Sequence, residues 1–285
     1  MKIGLVLLLL LLNARPLKAQ VFEVLNPDVQ QGDTAIVKIA PQWHEQLVCI
    51  SVFGNQYAPN KFGYAVIGVK SNTKEGRYLV FLVECGRGVV IGPYQSEIRV
   101  WAHNFVQTRT ASFTNKPKTR SDAQQSAMNK AFQQNYPFTD LTNGPYYIDP
   151  LGIDRDVIDP FGPIYRNNPY LFHTGVDLRV PVGAPIKAVN GGKVVLVAKR
   201  FYREGNMVII SHGLGIFSMY MHLSKFRVKN GDTVQRGEVI GFSGTTGAGV
   251  REPHLHFNIK IQDTFVDPLR FIDILSEYLY SEYLY

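Results

Sequence analysis

Short β-prone runs separated by turn residues dominate this sequence and restrict it to folds built mainly from strands. In the first half, six runs rich in β-branched and aromatic residues alternate with clusters of Gly, Pro, Asn and Asp. They cover residues 21–25, 34–39, 47–53, 65–69, 78–83 and 98–102. Such spacing is typical of an antiparallel β-sandwich. We therefore predict an immunoglobulin-like β-sandwich domain over residues 20–113.

The second half begins with a connector and then returns to strand-like runs. Residues 114–136 start polar, and Ser121-Asp122 then opens a stretch of helix formers at 123–134, which predicts a linker with a short helix. A second domain follows over residues 137–285, with no helix of normal length expected before Pro268 and a surface tail or short helix after Phe271. Its strand-like runs are 176–178, 186–189, 193–198, 207–211, 215–223, 238–242 and 255–261. The predicted fold class is all-β dominated.

The N-terminal segment has the pattern of a secretory signal peptide. Lys2 precedes a ten-residue apolar run at 3–12, and a more polar stretch ends at Ala19. This run is shorter than the roughly 20 residues that span a bilayer, and no later segment approaches that length. We expect residues 1–19 to direct export to the periplasm, cell envelope or extracellular space, with no stable transmembrane span after cleavage. An uncleaved anchor is the alternative.

Length and composition exclude disorder, and the charge gives a weaker hint. The chain has 285 residues, 45% of them hydrophobic and 19% charged, which is ordinary for a globular protein. Its net charge of +7 would suit an anionic partner such as nucleic acid. Removing segment 1–19, which has three basic residues and no acid, leaves +4. We therefore expect no nucleic-acid partner.

Two cysteines, Cys49 and Cys85, both fall in strand-like runs. Export into an oxidising compartment would permit a cross-strand disulfide between them. Free buried cysteines that pack as small apolar residues are the other interpretation.

Five of the seven histidines cluster in the second domain together with Asp177. They are His173, His212, His222, His254 and His256. His173 and Asp177 are both types of metal ligand, but in a flat strand their α-carbons would lie roughly 13 Å apart, at about 3.3 Å per residue. Gly175, between them, is the residue that could bend the chain and bring them together.

Strand alternation predicts which side chains share a face. In Pro253-His254-Leu255-His256-Phe257 both imidazoles should lie on one face. In the run 218–223 the same alternation predicts that Ser218, Tyr220 and His222 face the site while Met219, Met221 and Leu223 face the core. Three protein ligands and an open position characterise catalytic zinc. His173, Asp177 and one of His254 or His256 would supply them, favouring metal-assisted amide hydrolysis.

The order and spacing of these segments resemble the catalytic domain of M23 (lysostaphin-type, LytM-like) zinc metallopeptidases. The similar pieces are HTGVDL (173–178), PVGAPI (181–186), VIISHG (208–213), YMHLS (220–224), VKNGDTVQRGEVIG (228–241), SGTTG (243–247) and PHLHF (253–257). The resemblance implies one Zn²⁺ per chain with ligands His173, Asp177 and His256. It also implies that His222 and His254 are catalytic, and that the substrate is a peptide bond in peptidoglycan stem peptides or cross-bridges.

The resemblance suggests auxiliary residues and also one departure. Tyr165 and Tyr170 are candidates for steadying the oxyanion, and His212 is expected to serve mainly as a structural hydrogen-bonding group. Arg251-Glu252 stands before Pro253, where small residues are usual in the family. The resemblance therefore does not predict the shape of the groove or the substrate that it accepts.

Two other functions fit the sequence less well. A catalytically inactive M23-like scaffold, or an activator of another cell-wall hydrolase, would be expected to have lost ligands, whereas this sequence keeps the full set. A biotinyl or lipoyl carrier would need a modifiable lysine in a tight hairpin, and no lysine here has that context. The scissile bond and the oligomeric state are left open by the sequence.

Overall fold

The computed structural model describes residues 21–44, 46–106, 120–136, 139–152, 155–165, 168–248 and 250–279. The predicted signal peptide, residues 107–119 of the connector and the tail from 280 onward lie outside the described residues. The side chains at 164, 165 and 168–171 do so as well. No helix among the described residues is both long and apolar enough to span a bilayer.

The N-terminal part consists of two β-sheets over a common core. Its strands are β1 (Phe22–Val24), β2 (Asp28–Gln30), β3 (Thr34–Ile39), β4 (Val48–Val52), β5 (Asn55–Tyr57), β6 (Tyr64–Gly68), β7 (Gly76–Glu84) and β8 (Val90–Trp101). One sheet has the order β1-β3-β6 and the other β2-β8-β7-β4-β5, with β2 parallel to β8. A short 3-10 turn, Pro41–Trp43, precedes β4.

A disulfide joins Cys49 to Cys85 across two neighbouring strands of the five-stranded sheet. Cys49 lies in β4, and Cys85 follows the last residue of β7, the strand paired with β4. The bridge of an antibody domain connects the two opposing sheets instead. The bond therefore differs from the immunoglobulin pattern, and the immunoglobulin-like assignment of this part stays a prediction.

Helix α1 (Asp122–Phe132) connects the two halves of the chain. Ser121 caps it: its hydroxyl accepts from the Gln124 N–H while the Gln124 side chain accepts from the Ser121 N–H, a reciprocal capping box. The helix buries Met128 and Ala131 against the second half of the chain. Its apolar face thus fixes it to the domain that follows.

A central eight-stranded sheet organises the second half. The strands after α1 are β9 (Val157–Asp159), β10 (Gly162–Tyr165), β11 (Asn168–His173), β12 (Val176–Arg179), β13 (Pro185–Lys187), β14 (Gly192–Phe201), β15 (Gly205–Gly213), β16 (Ile216–Met221), β17 (Lys225–Phe226), β18 (Thr233–Val234), β19 (Val239–Phe242), β20 (His254–Ile261) and β21 (Thr264–Val266). The sheet order is β18-β14-β15-β16-β20-β12-β9, with β21 beside β20. Two small sheets, β10-β11 and β13-β19-β17, flank it.

The two faces of the central sheet have different coverings. One face contributes Tyr220, Leu255 and Phe257 to the main core, which also contains Phe271 of helix α2 (Pro268–Leu279). The opposite face forms a second cluster with Met219 and Met221, covered in part by α1. It is this second face that borders the candidate site.

The mostly β architecture confirms the fold class expected from the sequence. Helix α2 begins at Pro268, earlier than the predicted tail helix, because Pro fits the first turn, where no backbone N–H is needed. The three-residue strands β2, β5, β9 and β21 fall outside the predicted runs.

Candidate metal centre

Three candidate ligands from different strands converge at one end of the central sheet. His173 is the last residue of β11, Asp177 lies in β12 and His256 in β20. The antiparallel register of β12 and β20 places Asp177 directly opposite His256. Asp177 Oδ1 lies 2.7 Å from His256 Nδ1 and 3.2 Å from His173 Nε2, and the two nitrogens are 3.0 Å apart. The three donor atoms therefore surround one point.

The chain turns between His173 and Asp177 at Thr174-Gly175, as expected from the sequence. A Cβ on Gly175 would lie 2.3 Å from the Phe257 carbonyl oxygen and 2.8 Å from the Asn258 side chain. Only a glycine lets the chain pass so close to β20 at the point where it enters β12. The close approach sets the register that brings Asp177 to His256.

This donor set fits a zinc ion. Ligands about 2.0–2.1 Å from a tetrahedral ion are about 3.3 Å apart, close to the three separations found here. Two imidazoles and one carboxylate leave a fourth position open, as in catalytic zinc sites. His173 Nδ1–H also donates to the Pro160 carbonyl at 2.8 Å, which fixes the ring and directs Nε2 to the centre.

The electrostatics of the cluster keep the carboxylate ionised. Burial works to raise the pKa of Asp177, but the hydrogen bonds from His173 and His256 outweigh it and hold that pKa far below its ordinary value. Burial works to lower the pKa of His173, yet the bond to Asp177 and its charge raise the pKa overall. Burial lowers the pKa of His256, and Asp177 offsets only part of this effect. The centre thus contains a fixed negative charge that suits a cation.

Two further histidines, His222 and His254, stand beside this centre. Their ring centroids are 4.8 Å apart, and His254 Nε2 lies 3.8 Å from Asp177 Oδ1. His222 Nδ1–H donates to the Thr246 carbonyl, and His254 Nδ1–H donates to the Glu252 carbonyl, each at 2.8 Å. In both rings this leaves Nε2 as the nitrogen that carries no backbone bond. Burial, then the neighbouring His256 and His254, lower the pKa of His222 to about 3, so its imidazole is neutral at pH 7.

The faces predicted for the run 218–223 were wrong for four of its six residues. Ser218, predicted to face the site, lies with Tyr220 on the opposite side of the sheet, where its Oγ is 2.8 Å from His212 Nε2. Met219 and Met221 line the candidate site, while the Tyr220 ring packs into the main core and its hydroxyl bonds to the Val189 N–H at 2.9 Å. His222 nevertheless faces the site, because its backbone is left-handed with a φ of 64°. One residue in this conformation breaks the period-two alternation and turns the imidazole to the side of the methionines.

The histidines border a groove of about 680 Å³ on the open face of the sheet. Met128 and Phe132 of α1 form part of its wall, and Arg120, just before the helix, binds Glu204 with Nε–Oε1 at 2.7 Å. Glu204 is buried in the turn between β14 and β15. The connector between the two halves of the chain therefore helps to shape the groove.

Residues 171–268 match the sequence model of a protein family described as Peptidase family M23. This chain contains an M23 peptidase domain. All five clustered histidines and Asp177 fall within the matched residues.

The relatives of the M23 domain include cell-wall enzymes. The DD-carboxypeptidase/endopeptidase Mpg of Neisseria meningitidis is 40% identical over 130 residues, which are 44% of this chain and 29% of that protein. The peptidoglycan DD-endopeptidase ShyB of Vibrio cholerae is 39% identical over 98 residues, which are 34% of this chain and 22% of that protein. The chain spans less than a third of the length of either relative.

One solved structure resembles the chain beyond the M23 domain. It is a crystal structure of an M23 peptidase candidate from Pseudomonas aeruginosa, 27% identical, with a TM-score of 0.63. The similarity covers 85% of this chain and 94% of that one. The N-terminal sheets thus have a counterpart in a known structure.

The remaining predicted residues lie away from the donor atoms or outside the description. His212 is buried on the other side of the sheet, where Nδ1–H donates to the Gly191 carbonyl at 2.7 Å and Nε2 lies 2.8 Å from Ser218 Oγ. Tyr165 and Tyr170 belong to β10 and β11, but their side chains are outside the described residues.

Sequence reasoning missed Asn258, which lines the groove of the M23 domain and donates to Thr174 Oγ1 at 2.9 Å. Its side-chain oxygen is buried and has no hydrogen-bond partner among the described residues. The alternation that placed His254 and His256 on one face extends to this residue and could have found it. The contribution of α1 to the wall had no comparable signal.

Proposed function

We propose that the chain is an exported zinc metalloendopeptidase that hydrolyses peptide bonds in bacterial peptidoglycan. The observation that carries the proposal is the convergence of His173, Asp177 and His256 on one point, with two further imidazoles beside it in an open groove. The name of the Vibrio relative supports the substrate. The Cys49–Cys85 bond supports export, because disulfides persist in oxidising compartments.

In this proposal His173 Nε2, Asp177 Oδ1 and His256 Nδ1 would hold the ion. Zn²⁺ bound there would supply a water of lowered pKa and a Lewis acid for the scissile carbonyl. Pro160 orients the ring of His173, and Asp177, kept ionised, balances part of the charge. The catalytic work of the protein itself then falls to His222 and His254.

His222 and His254 are positioned to move protons. Each ring is held by a backbone carbonyl on Nδ1 and presents Nε2 toward the groove. A neutral imidazole there can accept the proton of an attacking water at its bare Nε2, and the imidazolium so formed can return that proton to the leaving amine. The second ring would steady the developing oxyanion when its Nε2 carries a proton. Because the pKa of His222 is lowered mainly by burial, that ring is in the accepting form at neutral pH.

Four alanine variants test the division of roles. His173→Ala and Asp177→Ala should abolish both zinc retention and cleavage, because each removes a ligand. His222→Ala and His254→Ala should abolish cleavage and leave most of the zinc bound. Zinc is measured by elemental analysis of dialysed protein, and cleavage by mass spectrometry of fragments released from defined peptidoglycans.

A matched control and two contrary outcomes complete the test. His44→Gln replaces a histidine whose Nε2 bonds the Ile39 carbonyl in the N-terminal sheets, and it should change neither readout. Equal metal loss in all four variants would contradict the division into ligands and catalysts. A wild-type protein with neither stoichiometric metal nor cleavage would favour the inactive scaffold or activator.

A further inference from the structure

The charged side chains that line the groove are unevenly paired. All four acidic residues of the lining have partners. Asp177 contacts the histidines, and Asp159 also interacts with another residue. Glu204 binds Arg120, and Glu252 binds Arg179. Two arginines of the lining, Arg203 and Arg251, are exposed and make no side-chain hydrogen bond or ion pair with any residue that the structure describes. The unpaired charge of the described groove is therefore positive.

Arg203 lines the groove and adjoins in sequence a residue that binds His222, the first of the two candidate catalytic histidines. It lies in the turn between β14 and β15, where the carbonyl of the next residue, Glu204, accepts from the His222 N–H at 3.0 Å. The same turn packs on the loop that orients His222: the Ala248 N–H donates to the Tyr202 carbonyl at 2.8 Å. The buried Glu204 side chain, bound to Arg120, anchors this turn and leaves Arg203 facing the groove.

Arg251 occupies the corresponding place beside the second histidine. Its neighbour Glu252 accepts from His254 Nδ1–H through its backbone carbonyl, and the Glu252 carboxylate pairs with Arg179 of β12. These two bonds fix the segment that enters β20. Arg203 and Arg251 thus each precede a glutamate whose backbone carbonyl binds His222 or His254. The rings of those two histidines are only 4.8 Å apart at their centroids.

We propose that Arg203 and Arg251 select peptide substrates that carry free carboxylate groups near the scissile bond. This inference rests on the proposed function and narrows its substrate. A guanidinium forms bidentate, charge-assisted hydrogen bonds with a carboxylate and cannot form them with an amide or with an oligoglycine segment. The groove therefore favours anionic stem peptides over a neutral cross-bridge.

Paired peptides test the selection directly. The zinc-loaded full chain is given a synthetic cross-linked stem peptide with free carboxylates and the same peptide with those groups converted to primary amides. Wild type should cleave the free-acid form with a kcat/KM about 10-fold or more above the amide form, because a hydrogen bond to a charged group is lost. Arg203→Gln and Arg251→Gln should each lower kcat/KM for the free acid by about 10-fold and leave the amide unchanged.

Arg200→Gln is the matched control, since Arg200 is an exposed arginine of the same hairpin that does not line the groove. It should leave both values unchanged. A wild type that cuts both peptides equally would overturn the inference. So would variants that lose the same factor on both peptides, because that result indicates a structural effect.

A binding measurement separates this inference from the proposed function. Titration calorimetry with the His254→Ala chain follows peptide binding without cleavage. Binding should be tighter for the free-acid peptide than for the amide peptide. A second substitution in the His254→Ala chain, Arg203→Gln or Arg251→Gln, should remove this difference in affinity. If wild type cuts neither peptide while this preference is found, the proposed catalysis fails and the carboxylate site stands; equal binding of the two peptides overturns the site.

Discussion

The buried imidazole of His212 should make the folded protein sensitive to acid. The ring is fully buried between the Gly191 carbonyl and the Ser218 hydroxyl, and Tyr147 packs edge-on with ring centroids 5.2 Å apart. Burial lowers the pKa of His212 to about 4, against an ordinary value of 6.5. Since Nδ1–H donates to Gly191, the ring is satisfied in its neutral form and gains little from a second proton.

The sign and size of the effect follow from proton linkage. Between about pH 6.5 and pH 4 the unfolded chain binds a proton at His212 that the folded chain excludes, so the free energy of unfolding falls as the pH falls. The stability that comes from keeping His212 neutral is fully present above about pH 6.5 and is lost by about pH 4. At about 1.4 kcal/mol per pKa unit, the whole loss is about 3 kcal/mol.

Urea unfolding of the metal-free protein at pH 7.5 and pH 4.5 measures this loss. Other groups also titrate in this range, so the wild type is compared with His212→Gln, which has no titrating ring. Between the two pH values the variant should lose about 2–3 kcal/mol less stability than the wild type. Ser218→Ala removes the partner of Nε2 but keeps the ring, and it should retain the wild-type pH dependence. Identical pH dependence in wild type and His212→Gln would refute the assignment of a neutral, buried His212.

Two further predictions concern the covalent and steric constraints of the fold. Replacing Cys49 and Cys85 together by alanine should lower the free energy of unfolding by about 4 kcal/mol, because the bond closes a loop with a sequence separation of 36; a thermal melt unchanged by the replacement and by reducing agent would contradict this. Gly175→Ala should reduce zinc retention strongly, because its Cβ would meet the Phe257 carbonyl oxygen at 2.3 Å and push β12 out of register with β20; full zinc content in a folded variant would show that the close approach is not needed.

The parts of the site that the sequence predicted depend on local rules. Alternation along β20 correctly placed His254 and His256 on one face, and the need for a bend correctly pointed to Gly175. Both inferences use only the geometry of a strand and the size of a side chain. The runs 34–39 and 207–211 are likewise rich in β-branched or long apolar residues, and strands β3 and β15 form there.

The features that the sequence could not predict depend on contacts between distant segments. His222 takes a left-handed backbone, rare for a residue other than glycine, and the surrounding bonds hold it there: its N–H is bound by Glu204, and its ring by Thr246. Those partners come from a hairpin 18 residues earlier and a loop 24 residues later. No rule applied to the run 218–223 alone can supply them, so alternation assigned the methionines and Tyr220 to the wrong faces. The error falls at a candidate catalytic residue, where tertiary bonds outweigh strand periodicity and turn a side chain that would otherwise join the core toward the groove.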